Sequence, residues 1–442
     1  MSLVRAVGVL FSCCLLASAT EPDWPHVEQH AIELLQQYVR IPSTNPPADT
    51  RATARLLADE LAKAGLKAET FESGPDGKTN LIARLPGRDR SKRPLILLNH
   101  MDVVPVDAAR WKLPPFGAAI QGGEMWGRGT LDMKSTGVMQ LTSLMLLKQL
   151  GIVPARDIVF LSDCDEETGG KYGARWMIDQ HWNELNPQYV LDEGGVGSRD
   201  VYTSGKLVFG ISVADKQVLW LRIRAVGTSG HGSQPIPDNA NDLLIRAIEK
   251  AKELPEGNTE NAMVQRMRAS VGVFASNKFI NAIQRNTISI TSLRSGVGDP
   301  PKANVIPSVA EATLDCRLLP GENAQAFLSA MKTRINDPHI TVEAISTIPK
   351  DPPASPTDTA LYKSIQNAIR TAHPDATVIP IVVPFGTDGE KFRERGAAAY
   401  GVIPMVMDAA TLATMHSDSE HIPLAQFRQG LHIYFDILRA DW

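Results

Sequence analysis

Short apolar runs separated by helical stretches constrain the fold of this chain more than any other feature. These runs lie at residues 81–83, 94–98, 158–161 and 189–191, and residues 137–150 form one of the helical stretches between them. Two amphipathic helices are predicted before them, over residues 26–40 and 51–65, because apolar residues recur there at helical spacing. Continuous apolar strands that alternate with helices are typical of an α/β fold with a mainly parallel sheet.

Beyond residue 212 the pattern indicates a second kind of sheet. Residues 218–226 (VLWLRIRAV) alternate with period two, as a strand with one wetted face does. The other predicted elements of this unit are strands at about 286–294, 308–318 and 340–346 and helices at about 239–253 and 323–336. Together they make an α+β unit of four strands and two helices.

This unit is predicted to be inserted into the first one. A proline-rich stretch at 349–356 ends it, and a helix over 358–372 with an apolar run at 378–383 resumes the first pattern. We therefore predict a main domain made of residues 20–212 and 351–442, with an inserted α+β domain over residues 213–350.

The first 19 residues have the composition of a cleaved secretory signal. Arg5 precedes an apolar stretch over 6–16, and Ala17-Ser18-Ala19 supplies small residues at the spacing that a signal peptidase accepts. This predicts an exported protein, periplasmic or secreted, after cleavage near Ala19; an uncleaved or lipid anchor is the alternative. No other stretch approaches the roughly 20 apolar residues of a membrane-crossing helix, so we expect no stable membrane insertion.

Two of the four cysteines, Cys13 and Cys14, leave with this segment. The remaining pair, Cys164 and Cys316, could form a disulfide in an exported protein. We expect buried free thiols instead, because the predicted organisation places these two residues in different domains.

The charge balance argues against a nucleic-acid partner. Lys and Arg number 45 and Asp and Glu number 49, for a net charge of -4. No run of Lys and Arg is long enough to form a stripe that follows a phosphate backbone.

Histidines and carboxylates follow the predicted apolar strands. The first such strand runs into NHMD (99–102), and strand alternation puts His100 and Asp102 on one face, where Asp102 can accept the ring N–H of His100. Two later strands run into DCDEE (163–167), where four acids within five positions repel one another, and into DEGG (192–195).

Two further motifs carry the same residue types. WGRGTLDMK (126–134) places Asp132 between a glycine-rich turn and a helix, and MHSDSEH (415–421) contains His416. Each motif alone has a simpler interpretation, namely chance for His-x-Asp, a helix cap for Asp132 and a polar loop for the acids. Their common placement favours a ligand site, because open α/β sheets bind ligands at the carboxyl ends of their strands. Imidazole and carboxylate groups that converge there are what a hydrolytic zinc site needs.

Six motifs in order resemble those of the co-catalytic zinc aminoacylase/carboxypeptidase family, which includes aminoacylases, glutamate carboxypeptidases, yeast carboxypeptidase S, succinyl-diaminopimelate desuccinylase and the carnosinases. They are LLNHMDVVP (97–105), WGRGTLDMK (126–134), DCDEETGG (163–170), LDEGG (191–195), TSGHGS (228–233) and MHSDSE (415–420). The resemblance implies that the main domain is a zinc-hydrolase catalytic domain and that the inserted domain is a lid and dimerisation domain.

The resemblance also implies a dinuclear zinc site in which Asp132 bridges both ions. The other implied ligands are His100 with Glu193 (or, as the alternative, Asp192) for one ion and Glu167 with His416 for the other. Co²⁺ or Mn²⁺ would accept similar ligands. A cis peptide bond between Asp132 and Met133 is implied as well.

Further roles follow from the same resemblance. Glu166 matches the general base, and Asp102 matches the acid behind His100. His231 matches a histidine that reaches a neighbouring subunit's active site, which implies a homodimer or a site completed by domain closure. The positions that match substrate contacts are Asn304, Arg317 and Gly386. For Arg317 the alternative is an exposed strand arginine paired with Asp315 or Glu311.

The expected function is therefore an exported dizinc hydrolase that cleaves an amide bond in short peptides with a free C-terminal carboxylate. Carboxypeptidases and dipeptidases act in this way. Deacylation of N-acyl-amino acids is the alternative within the class, because one site geometry serves both and the pocket decides. A catalytically silent protein that binds small molecules on the same fold is the alternative from another class.

Overall fold

The computed structural model describes residues 21–254, 257 and 261–442. The predicted signal segment, residues 1–19, lies outside these described residues. The helices are α1 Trp24–Val39, α2 Arg51–Lys63, α3 Ser135–Gln149, α4 Ala174–Leu185, α5 Ala240–Lys252, α6 Ala262–Val271, α7 Lys278–Ile283, α8 Ala324–Ile335, α9 Ala360–Ala372, α10 Gly389–Arg393, α11 Ala409–Leu412 and α12 Leu424–Arg439.

The strands are distributed along the whole of the described chain. They are β1 Ala68–Glu72, β2 Thr79–Leu85, β3 Leu95–His100, β4 Ala119–Gln121, β5 Glu124–Trp126, β6 Ile158–Asp163, β7 Tyr189–Ser198, β8 Val208–Asp215, β9 Gln217–Val226, β10 Gly230–His231, β11 Thr287–Ser295, β12 Val305–Ile306, β13 Val309–Leu318, β14 Ile340–Ala344, β15 Thr377–Val383, β16 Ala398–Val406 and β17 His421–Pro423.

The larger sheet has the strand order β1-β2-β6-β3-β7-β16-β8-β15. Its centre is parallel, since β6, β3, β7 and β16 pair in the same direction, and β8 pairs with β15 in parallel too. Antiparallel pairs occur at β1–β2–β6 and where β16 meets β8. The predicted α/β fold with a mainly parallel sheet is confirmed.

Helices cover both faces of this sheet. Leu95 and Leu97 of β3 pack in the core that contains α1, α2, α3, α9 and α12. Ile96 and Leu98 point the other way, into a core shared with α4 and α10. Burial on both faces explains why these strands are apolar throughout rather than at alternate positions.

The smaller sheet is antiparallel, with the order β11-β13-β9-β14. One of its faces packs on α5 and α8, while the other carries charged residues such as Arg222, which pairs with Glu343. Its four strands and these two helices lie within a few residues of the predicted positions. The domain boundaries at 212 and 350 stay predictions.

The helices α6 and α7 were not predicted from the sequence. They lie in the segment assigned to the inserted domain, but Met267 and Ile280 pack with Ile379 and Ile381 of β15 in the larger sheet. The chain therefore returns to the larger sheet between two elements of the smaller one.

The two sheets are joined at Lys216, the residue between β8 and β9. Its fully buried Nζ donates to the carbonyl oxygens of Ala282 and Arg285, at 2.9 and 2.7 Å, and to Thr287 Oγ1 at 3.1 Å. The chain passes from the larger to the smaller sheet between β8 and β9, and Lys216 links this connection to the end of α7 and the start of β11.

Cys164 follows β6 of the larger sheet and Cys316 lies on β13 of the smaller one, and both are buried free thiols. Within the described part of the chain, none of the helices combines the length and the apolar character needed to span a bilayer.

Candidate metal centre

The candidate site lies at the carboxyl ends of neighbouring strands of the larger sheet. His100 is the last residue of β3, and Asp163 is the last residue of the adjacent β6. Glu193 lies on β7, two residues beyond the point where β7 stops pairing with β3. Parallel strands end at one edge of a sheet, so these motifs meet there although they are far apart in sequence.

Asp132 lies between two histidines. His100 Nε2 is 3.0 Å from Asp132 Oδ1, and His416 Nε2 is 2.9 Å from Asp132 Oδ2. The peptide bond between Asp132 and Met133 is cis, as predicted. The two oxygens of one carboxylate therefore face two imidazole nitrogens, one on each side.

Each histidine has a glutamate beside it. Glu193 Oε1 lies 3.6 Å from His100 Nε2, and Glu167 Oε2 lies 3.4 Å from His416 Nε2. Asp192 turns away, since its two oxygens accept from the N–H groups of Glu193 and Gly389, both at 2.8 Å. The structure thus brings together the residues predicted as ligands, with Glu193 rather than Asp192 facing the histidine.

Glu166 belongs to the same cluster. Ligand atoms of His100, Glu166 and Glu193 lie within 4.8 Å of one another, as do those of His100, Asp132 and Glu167. Burial, and then repulsion from Asp388 and the neighbouring glutamates, holds the pKa of the Glu166 carboxyl well above its usual range.

The chemistry of these groups fits divalent cations. Burial, followed by repulsion from Asp132, raises the pKa values of Glu167 and Glu193 as well, so acids within this cluster repel one another. Divalent ions would offset this repulsion. Imidazole nitrogen and carboxylate oxygen are the ligand atoms that zinc takes in hydrolytic sites.

Asp102 differs from the sequence-based expectation in one respect. The ring nitrogen Nδ1 of His100 is 2.9 Å from the main-chain oxygen of Asp102, while the nearest carboxylate oxygen is 3.7 Å away. The carboxylate instead accepts the N–H groups of Glu166 and Glu167, both at 3.3 Å. Asp102 therefore fixes the main chain of the acidic motif, and its carbonyl fixes the orientation of His100.

Sequence analysis missed a buried network behind this motif. Asn45 Nδ2 donates to Asp102 Oδ2 at 2.7 Å and to Asp165 Oδ1 at 3.2 Å, and Lys78 Nζ lies 2.6 Å from the same Asp165 oxygen. Asn45 and Lys78 come from loops far away in the sequence. No pattern around either residue marks it as part of a site.

A second missed pair is Arg128 and Glu420. Glu420 Oε1 accepts the N–H groups of Leu131 and Asp132, and Oε2 pairs with Arg128 at 2.5 Å. Both residues lie inside motifs quoted above, so their position next to ligand residues was a signal that could have identified them.

The described contacts of the other predicted site residues are with groups outside the candidate ligand set. His231 on β10 is exposed, its Nδ1 lies 2.8 Å from Ser233 Oγ, and Gly232 N–H donates to the carbonyl of Asn304. Arg317 on β13 is partly buried and pairs with Asp315 at 2.7 and 3.0 Å. Gly386 follows β15 and packs close to Val218, where an added Cβ would lie 2.9 Å from Cγ2.

A family model described as peptidase family M20/M25/M40 matches residues 96–440, which include the whole metal centre. The chain belongs to this family. Membership in M20/M25/M40 makes the chain a metal-dependent hydrolase, and it confirms the family resemblance recognised from the six motifs.

Relatives of the chain include proteins named as carboxypeptidase S-like and as aminoacylases. The chain is 27% identical to the probable carboxypeptidase S-like 2 of Dictyostelium discoideum over 81% of this chain and 74% of that protein. It is 26% identical to the aminoacylase-1A of Rattus norvegicus over 94% of this chain and 96% of that protein.

Solved structures show the same fold. An M20 family metallo-carboxypeptidase from Sulfolobus solfataricus superposes with a TM-score of 0.72 at 19% identity, over 92% of this chain and 98% of that one.

Proposed function

We propose that this M20/M25/M40 member is a dinuclear zinc peptidase that cleaves short peptides with a free C-terminal carboxylate. The observation that carries the proposal is the Asp132 carboxylate between His100 and His416, each with its own glutamate at 3.4–3.6 Å. A carboxylate with one oxygen toward each of two imidazoles is arranged to bridge two cations.

The proposed ligands follow from these contacts. His100 and Glu193 would hold one ion, His416 and Glu167 the other, and Asp132 both. Zn²⁺ is the proposed metal, with Co²⁺ or Mn²⁺ as substitutes that accept the same atoms. When bound, the ions supply Lewis acidity, which lowers the pKa of a water molecule and polarises the amide carbonyl.

Glu166 is the proposed general base and acid. Its carboxylate takes the proton that the attacking water loses and passes it to the nitrogen of the leaving amine. One C–O bond forms, the C–N bond breaks, and water is the only co-reactant. The raised pKa of the Glu166 carboxyl suits a group that must both receive and return a proton.

Substrate recognition is proposed for Arg317, Asn304 and Gly386. The Arg317–Asp315 pair uses Nε and Nη2 of the guanidinium. The Nη1 group would then bind the terminal carboxylate of a peptide, because the planar guanidinium can pair with a carboxylate on more than one side.

Deacylation of N-acyl-amino acids is the second candidate. The specific observation in its favour is the match to aminoacylase-1A, which extends over 94% of this chain and 96% of that protein. Both reactions break an amide bond next to a residue with a free carboxylate, so the same centre serves either.

A homodimer is part of the proposal. His231 is exposed and the described contacts of its side chain are with Ser233, which suits a residue that stabilises the oxyanion in a partner's active site. On the edge strand β11, Ile290 and Leu293 are 36% and 64% exposed. Light scattering on the active protein should give twice the chain mass, and a monomer would count against this role of His231.

Export is proposed from the sequence of residues 1–19. Determination of the N-terminus of the protein recovered outside the cytoplasm should give Thr20, and an intact Met1 in that fraction would contradict cleavage.

The substrate proposal is tested with matched compounds. Metal-free protein, with and without added Zn²⁺, is assayed on dipeptides and N-acyl-amino acids that carry free or amidated C-termini. We expect zinc-dependent cleavage of only those compounds that carry a free C-terminal carboxylate. Dipeptides should be cleaved faster than N-acyl-amino acids. Faster turnover of the acyl compounds would select the second candidate, and turnover of neither set would refute both.

A further inference from the structure

We propose that the buried Arg128–Glu420 ion pair is a positioning device for the His416 side of the metal centre. It would set the affinity for the ion held by His416 and Glu167, called here the second metal. The inference rests on the two-metal centre proposed above and deepens it.

The ion pair is almost completely removed from water. The side chains of Arg128 and Glu420 are 2% and 0% exposed, their closest atoms are 2.5 Å apart, and the guanidinium lies 5.2 Å from the Trp111 ring. A buried ion pair gains little net stability, because desolvation opposes the attraction. We therefore look for the role of this ion pair in the geometry that it fixes.

Two other atoms of the pair, Glu420 Oε1 and Arg128 Nη2, bind main-chain groups at two of the proposed ligand residues. Glu420 Oε1 accepts the N–H of Asp132 at 3.1 Å and that of Leu131 at 2.9 Å. Arg128 Nη2 donates to the carbonyl oxygen of His416 at 3.3 Å. One ion pair therefore connects the segment of the bridging acid to the segment of the second histidine, from the other end of the chain.

The two histidines depend on this support to different degrees. His100 is the last residue of the central strand β3, where its main chain is in register with Asp163 of β6. Its side chain is 2% exposed. His416 lies in a loop, its side chain is 47% exposed, and its φ of 61° is in the left-handed region. A non-glycine residue keeps such a conformation only where its surroundings hold it. Arg128 binds the carbonyl of this same residue.

The decisive variant is Arg128→Lys. The single ammonium nitrogen of lysine can still pair with Glu420, but lysine has no second nitrogen in the place of Nη2 to bind the His416 carbonyl. We expect the second metal to bind about 10- to 100-fold more weakly, the usual effect of removing a group that orients a ligand. The first metal should stay within about threefold, because the sheet holds His100 independently. Co²⁺ titration of the metal-free protein, with elemental analysis after dialysis, measures both affinities without any activity assay.

Two further variants and one control complete the design. Glu420→Gln keeps an oxygen for the two N–H groups but removes the charge that anchors Arg128, so it should show the same asymmetry. It also answers the question if Arg128→Lys does not fold. His416→Ala, which should bind one ion, identifies the second metal in the titration.

Arg156→Lys is the matched control. Arg156 is 5% exposed, its guanidinium lies 4.8 Å from the Tyr189 ring, and it donates to the carbonyl of Arg93. It precedes the amino end of β6, away from the metal centre, so this variant should keep both affinities.

Wild-type affinity for both ions in Arg128→Lys and Glu420→Gln would overturn the inference. An equal loss at both positions in a folded variant would overturn it too. A wild-type protein that binds no metal would instead refute the metal centre itself, and this inference with it, so the two failures are distinguishable.

Discussion

Glu166 and its neighbours Glu167 and Glu193 are carboxylates of one buried cluster with different contacts. Glu193 and Glu167 lie 3.6 and 3.4 Å from a histidine nitrogen, whereas Glu166 has its main-chain N–H held by Asp102 and its carboxyl within 4.8 Å of ligand atoms of His100 and Glu193. The proposed roles thus separate two acids that would bind cations from one that would carry a proton. This separation can be tested by removing one function at a time.

Glu166→Gln should lose turnover and keep its metal. The substitution removes the proton acceptor but none of the proposed ligands, so we expect kcat to fall by roughly 10²- to 10⁴-fold. Elemental analysis should find the wild-type metal content, whereas His416→Ala should lose one ion. Full activity in Glu166→Gln would refute the mechanism.

The sequence predicted the residues of this cluster better than their contacts. His100, Glu166, Glu167 and Glu193 lie in motifs after apolar strands, Asp132 and His416 lie in two further motifs, and the structure brings all six together. The carboxylate of Asp102 binds the N–H groups of Glu166 and Glu167 instead of His100, because the direction of a side chain depends on the fold around it. Asn45 and Lys78 were not predictable, since only the folded chain brings their loops to the site.

At the scale of elements, Lys216 connects the larger sheet to the smaller one. Three uncharged oxygens surround its ammonium, from Ala282, Arg285 and Thr287. Burial, followed by the positive charge of Arg317, lowers the pKa of Lys216 to about 7. Because the same lysine in an unfolded chain has a pKa of about 10.4, its protonation is linked to folding.

This linkage predicts a pH-dependent stability. Between pH 7 and about 10 the unfolded chain binds the proton of Lys216 more strongly than the folded one, so the free energy of unfolding rises with pH over that window. Lys216→Met removes this term. The difference in unfolding free energy between wild type and Lys216→Met should therefore grow from pH 7 to pH 9, as measured by chemical denaturation.

The control for this prediction is Lys250→Met. Lys250 also donates to a main-chain carbonyl, that of Ile335 at 2.7 Å, but it lies on the exposed face of α5. Its variant should show no such growth with pH. A Lys216→Met difference that stayed constant from pH 7 to pH 9 would show that Lys216 is charged in the folded protein.

Elements were predictable where one pattern extended over many residues. The alternation in β9 and the apolar run of β3 each follow from burial on one face or on both. The helices α6 and α7 are 10 and 6 residues long, too short for a periodic pattern to stand out. Their contacts with β15 depend on the chain returning to the larger sheet, which no local pattern encodes.

At the scale of the whole molecule, the proposed functions are divided among three sheets. The candidate ligands come from strands and loops of the larger sheet, while Arg317 lies on the smaller sheet and His231 on the ribbon of β10 and β12. The described hydrogen bonds of the Arg317 and His231 side chains are with Asp315 and Ser233, not with the cluster. Under the proposed function, closure of the inserted domain on the substrate or a second subunit would bring such residues to the cluster.

The central claim is that one bridging carboxylate holds two metal ions. Its most direct test is the number of Zn²⁺ ions that the metal-free wild-type chain takes up, counted by elemental analysis after dialysis. The account predicts two ions per chain, and one in His416→Ala. A single ion in the wild type, or none, would contradict it.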